Sequence, residues 1–147
     1  MEVTWTGNTG AGTSSYGGYS RAHDISAAGK RIIEGSSDAA FRGDATKYNP
    51  EELFVSALSA CHLLWFLHLA ADAGLVVDRY RDRARGEMIE RPDGSGEFVR
   101  VDLHPTVQTR TPTDPDLIER LHTRAGAMCF IARSVNFPVT VSAPTRP

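Results

Sequence analysis

Apolar residues along this chain change period several times, and each change marks an element. Val3–Thr6 reads as a short strand, followed by a loop rich in Gly, Ser, Thr and Tyr up to residue 20. Arg21–Ser26 and Lys30–Glu34, separated by Ala-Ala-Gly, read as a hairpin. Gly35–Tyr48 has the composition of a loop. The pattern then becomes helical. Asn49 suits an N-cap, Pro50 the first helical position, and Glu51 and Glu52 the positive end of the helix dipole. Leu53, Ala57, Cys61, Leu64, His68 and Ala71 recur at three- and four-residue spacing, and Phe54, Leu58, Trp65 and Leu69 widen the stripe. So apolar a helix is expected to be buried on most sides, with Gly74 closing it.

Beyond Gly74 the period returns to two. Val76–Glu90 and Glu97–Thr109 read as two long strands around the turn Arg91-Pro-Asp-Gly-Ser-Gly96. After a break at Thr111–Pro115, residues Asp116–Ala125 form an amphipathic helix with Leu117, Ile118 and Leu121 inward, ended by Gly126. Cys129–Val135 suggests a short further helix and Phe137–Ala143 a closing strand. Strands arriving as hairpins rather than as βαβ units give an α+β fold.

The chain has 147 residues, a length that fits one domain, 1–147, with a sizeable core. Its net charge of −2 and lack of a long basic run argue against a nucleic-acid partner. MEVTWTGNTG lacks the charged-then-apolar order of a signal peptide, and the apolar run Leu63–Ala71, broken by His68, is short for a bilayer. A cytoplasmic protein without a membrane partner is therefore expected. In a reducing cytosol a structural disulfide between the only two cysteines, Cys61 and Cys129, is not expected, which leaves a transient redox pair or two unrelated buried thiols.

Cys61 has two readings: a small packed core residue, or a reactive thiol. A free thiol is only a few per cent ionised at pH 7. Lowering its pKa by two units raises that to about 75% and takes roughly 2.7 kcal/mol. The dipole at the start of the helix is too far from Cys61 to supply this. Arg42, just upstream of the helix, and Arg21, in the first hairpin, are the candidate cations, and Glu51 could orient a guanidinium by paired hydrogen bonds. Cys129, read as opening a short helix, would sit at a positive dipole end. His62 follows Cys61 and so points about 100° away around the helix, which disfavours a Cys–His nucleophile pair. No CxxC, HExxH or i,i+4 histidine pair is present, so a metal is not expected. Phe54, Leu58, Trp65 and Phe130 are candidate lining for an apolar substrate pocket.

Asn49-Pro-Glu-Glu-Leu-Phe followed by Ser59-Ala-Cys61 resembles the signature helix of the OsmC/Ohr family, the osmotically inducible and organic hydroperoxide resistance proteins. Ala125-Gly-Ala-Met-Cys129 sits where that family keeps its second thiol. The resemblance implies an OsmC-like fold, with antiparallel hairpins around a long central signature helix, in an intertwined homodimer. It also implies a peroxidase that uses no cofactor. Cys61 would attack an organic hydroperoxide and become a sulfenic acid, Cys129 would condense with it to a disulfide, and a dithiol, in this family typically a lipoyl group, would restore both. Glu51 matches the family glutamate that pairs with the active-site arginine, for which Arg42 and Arg21 both remain candidates. Cys129-Phe-Ile-Ala-Arg-Ser134 departs from the family pattern after the second cysteine. That departure keeps open an alternative: a small-molecule or thiol-binding OsmC-like module without turnover.

Overall fold

A computed structural model describes residues 1–142. They form two compact units, Met1–Leu53 and Phe54 onward.

The first unit is a three-stranded antiparallel sheet with one long loop between its first two strands and another after its third. β1 (Glu2–Trp5) pairs with β2 (His23–Ser26), and β2 with β3 (Ile33–Gly35), so the expected strand and hairpin both form, with shorter strands. A turn of 3-10 helix over Ala39–Phe41 interrupts the following loop, capped by the Asp38 carboxylate. Arg42 closes this turn at φ 63°, the one non-glycine residue in the left-handed region among those described. Asn49 and Glu52 then make a reciprocal cap. The Asn49 side chain accepts from Glu52 N at 2.7 Å, and the Glu52 carboxylate accepts from Asn49 N at 3.0 Å. Two otherwise orphaned donors are thereby satisfied.

This cap starts α1 (Pro50–Asp72), which carries the chain into the second unit. The helix ends in a Schellman turn. Gly74, at φ 70°, donates to Ala71 O, and Leu75 N donates to Ala70 O at 2.8 Å.

The expected pair of long strands is present as one ribbon broken in the middle. β4 (Val77–Asp82) pairs with β7 (Pro105–Thr109), and β5 (Arg85–Glu90) pairs with β6 (Gly96–Leu103), in two separate sheets. The break has a local cause. The Asp82 carboxylate accepts from His104 N at 2.7 Å and from Ser59 Oγ at 2.6 Å, and Pro105 has no N–H to offer the ladder. β8 (Val139–Val141) joins β6 in parallel, whereas only antiparallel pairing was expected. The last residue of the expected closing strand, Ala143, lies outside the described residues.

α2 runs Pro115–Met128, through Gly126 rather than ending there. Gly126 keeps a negative φ and costs only about 1 kcal/mol against Ala inside a helix. Termination comes where Cys129 turns extended, at ψ 111°. Instead of opening a helix, Cys129 caps the C-terminus of α2, and the short helix expected over Cys129–Val135 shrinks to a 3-10 turn at Ala132–Ser134.

α1 packs two ways along its length. Leu58 joins Val101 and Leu103 in a core under β6 and β8, with Phe54, Phe98 and Phe137 around it. One turn past Cys61 the partners change: Phe66, Leu69 and Ala70 pack on Leu121 and Ala125 of α2, under β4 and β7. The buried face is thus Leu58, His62, Phe66, Leu69 and Ala70, not the stripe through Leu64, His68 and Ala71. In the single chain Leu64 is 66% exposed and Leu67 37%, so the helix is not buried on most sides. Its 23 residues, with mean hydropathy 1.8 over the most apolar window, also make it long and apolar enough to cross a membrane by length and composition. The run Leu63–Ala71 alone had suggested the opposite.

Candidate active site

The handover between the two cores is where the thiols meet. Cys61 sits mid-way along α1, between Leu58 and Phe66, and Cys129 ends α2. Far apart in sequence, the two sulfurs are within hydrogen-bonding reach, and both are free thiols. They differ in environment. Cys61 is partly exposed, whereas Cys129 is 0% exposed. Burial, and next the hydrogen bond to Cys61, push the Cys129 thiol up to about 11, so it is protonated at neutral pH. Opposing this, Ala132 N donates to Cys129 Sγ at 3.4 Å, and the Ile131 N–H also favours a thiolate there. The chain folds back over Cys129 in the turn before Ala132–Ser134, which aims both amides at the sulfur.

Trp65, one turn beyond Cys61, meets Phe130, next to Cys129, edge to face at 5.9 Å. Phe130 is 69% exposed, so this aromatic pair forms an open apolar lip. Phe54 and Leu58 are placed differently. Leu58 is fully buried, and Phe54 stacks among Phe98 and Phe137 at 5.1 and 6.0 Å. The four aromatic and aliphatic candidates therefore divide between core and lip.

In the first unit Arg21 is held tightly. Its guanidinium donates to Tyr19 O at 2.6 Å and Tyr16 O at 2.7 Å and lies over both tyrosine rings, at 4.2 and 4.4 Å. The Arg42 guanidinium lies against Gly17, where a side chain would begin 3.4 Å away. Glu51 occupies the first turn of α1.

Beside the thiols lies a pair that spacing did not reveal. His62 Nε2 and His122 Nδ1 are 3.0 Å apart, the rings nearly coplanar at 7°, and both residues are buried. In a neutral pair one ring donates to the other. Phe66 stacks on His122 at 4.2 Å, and His122 Nε2 and Tyr80 Oη are both buried without a partner. Burial pulls His62 below the usual histidine range, and burial with the neighbouring His62 pulls His122 down to about 4. Burial, and next the charge of Asp82, hold the Tyr80 phenol protonated. His122 also lines the large groove between β7, α2 and β8, about 1110 Å³ with Pro105, Val107, Ile118, Val139 and Val141 in its walls. No group of three or more His, Cys, Asp or Glu side chains is arranged to hold a metal ion among the described residues.

Among curated proteins, none matches this chain. Solved structures do. An OsmC-like protein of unknown function from Vibrio cholerae is 33% identical and superposes with a TM-score of 0.86, covering 97% of this chain and 96% of its own. An organic hydroperoxide resistance protein from Elizabethkingia anophelis is 20% identical, with a TM-score of 0.67 over 84% of this chain and 90% of its own. The organic hydroperoxide resistance protein OhrB of Bacillus subtilis is also 20% identical, with a TM-score of 0.60 over 84% of this chain and 97% of its own. The sequence profile of the OsmC-like proteins matches residues 43–143, from the loop before α1 to the strand after the second thiol. With that match across most of the chain, and a 33%-identical relative over nearly all of it, the chain belongs to the OsmC-like family.

Proposed function

We propose that this protein is a thiol-dependent peroxidase that reduces organic hydroperoxides through Cys61 and Cys129. The observation that carries the reading is the thiol pair itself: two free cysteines from separate helices in hydrogen-bonding reach, one partly exposed and one sealed. Organic hydroperoxide resistance proteins among the structural relatives support the substrate class. The Cys61 thiolate attacks the peroxide oxygen, the O–O bond breaks, and the alkoxide takes a proton and leaves as an alcohol. Cys61 is now a sulfenic acid. Cys129, a thiol at rest, loses its proton; its thiolate attacks that sulfur, and the departing hydroxide takes up the proton. The products are water and a Cys61–Cys129 disulfide, which a dithiol returns to two thiols. A reducing compartment such as the cytoplasm fits this cycle. Consumption of tert-butyl and cumene hydroperoxide with dihydrolipoamide or dithiothreitol tests the reading. Binding of these compounds without turnover would favour the binding-module alternative.

The arginine in this chemistry is read from two variants. Arg42→Ala or Arg21→Ala, whichever removes the group that serves the thiolate, is expected to slow both Cys61 alkylation at neutral pH and hydroperoxide reduction. Unchanged rates in both variants remove arginine from the mechanism.

The active form is a homodimer in this reading. Leu64 and Leu67 leave one side of α1 apolar and uncovered, and Phe130 and Met128 add to the exposed apolar surface. Sedimentation at micromolar concentration is expected to give twice the chain mass. A monomer that stays soluble and thermally stable would overturn the assembly. Recovery only in the membrane fraction would do the same.

A further inference from the structure

The thiols differ in a way that fixes the direction of the reductive half-reaction, an inference that rests on the two-thiol reading above. A disulfide can be opened at either sulfur, and the choice depends on access and on what stabilises the leaving thiolate. Cys129 is 0% exposed within its own chain, and no partner subunit can make it more accessible. Cys61 is partly exposed, next to the open lip of Trp65 and Phe130. Behind Cys129 stand two backbone donors: the Ala132 N–H, 3.4 Å from Sγ, and the Ile131 N–H. They act on this sulfur as an oxyanion hole acts on oxygen, in place before charge develops and shielded from water.

We propose that Cys61 is the central sulfur: an incoming thiolate bonds to Cys61 Sγ, the Cys61–Cys129 bond breaks, and its electron pair leaves on Cys129, held by the Ile131 and Ala132 amides. The product is a mixed disulfide between reductant and Cys61. The second sulfur of a dithiol reductant then attacks the first, forms the reductant's own disulfide, and expels Cys61 as a thiolate. The proton of that second thiol ends on Cys129. Two electrons pass from reductant to protein, and no further co-reactant is needed. Burial opposes charge on Cys129, and once Cys61 is tied in the mixed disulfide its own charge no longer adds to that opposition. Access therefore selects the sulfur attacked, and the amides lower the cost of the departure.

The test uses the wild-type chain, oxidised in parallel by one equivalent of tert-butyl hydroperoxide and by diamide. The oxidised protein meets excess 2-mercaptoethanol briefly, is quenched in acid, alkylated and mapped by mass. The expected species carries mercaptoethanol on Cys61 and the alkyl group on Cys129. Mercaptoethanol on Cys129 overturns the proposal, and so does the absence of any disulfide after diamide. If diamide makes the disulfide and peroxide does not, the peroxidase reading fails while the mapping still decides the direction. Ala132→Pro removes one amide at the first position of the 3-10 turn; Ile131 before it is helical, a conformation that a following proline disfavours, so the variant is read only where its circular dichroism matches the wild type. It should slow the opening step roughly tenfold without moving the adduct from Cys61. An unchanged rate in a folded variant removes the amide from the mechanism.

Discussion

Cys61→Ser is expected to lose hydroperoxide reduction down to the uncatalysed background, while Cys129→Ser reacts once and then destroys itself. Only Cys61 combines partial exposure with a place beside an apolar lip, so only it can receive a peroxide. Without Cys129 the sulfenic acid has no thiol in reach and is trappable by dimedone. At excess peroxide it climbs to sulfinic acid, a step that dithiols do not reverse. Wild type is expected instead to lose about two hydrogens in mass per chain, the signature of one internal disulfide. The measurement is intact mass after stepwise addition of cumene hydroperoxide, with and without dimedone. Full activity in Cys61→Ser, or identical behaviour of the two variants, would reverse or abolish the assignment. Because Cys129 is pushed up to about 11 and only its thiolate is nucleophilic, the disulfide-forming step should speed up about tenfold per pH unit between pH 6 and 9. A flat profile would show instead that the thiol is not shifted up in the oxidised protein.

The second large effect is on stability in acid. His62 and His122 are buried and held neutral, His122 at about 4 against an unfolded value near 6.5. The unfolded chain therefore binds more protons than the folded one throughout this interval. Stability falls as pH drops below 6.5, and the loss is complete near pH 4. For His122 alone it comes to about 3 kcal/mol, with a further contribution of the same sign from His62. Urea midpoints between pH 7.5 and 4.5 should show this slope before most carboxylates titrate. His122→Asn places an amide near the Nδ1 position and removes the titration, so its midpoint should change much less across the same range. An equally steep slope in that variant would assign acid sensitivity to other groups.

What the sequence made legible was what local chemistry dictates. Asn49-Pro50 and Gly74 bracket α1 because a cap and a left-handed glycine act within a few residues. The turn after Arg91 and the two thiols were likewise found from short stretches. The failures needed tertiary knowledge. The buried face of α1 follows Leu58, His62 and Phe66 because the two cores lie there, and a helix apolar all round carries no periodic signal to say so. The His62–His122 pair joins two helices through their packing, and the same angle that separates His62 from Cys61 turns it toward α2. Two signals were present and misread. Pro105 inside an apparent long strand marked the break in the ribbon, and Gly126 was given a stop that Cys129 performs.

The two thiols close a large circle of chain. Cys61 is anchored mid-way along the longest helix and Cys129 at the far end of the other, so one sulfur–sulfur bond would staple about 70 residues into a loop and, by the chain-entropy model, resist unfolding by about 4 kcal/mol. For a protein of this size that corresponds to a melting temperature roughly 10 °C higher. Heat tolerance and protease resistance would then rise with each oxidation and fall with each reduction, so that the durability of the molecule at any moment records its last encounter with an oxidant.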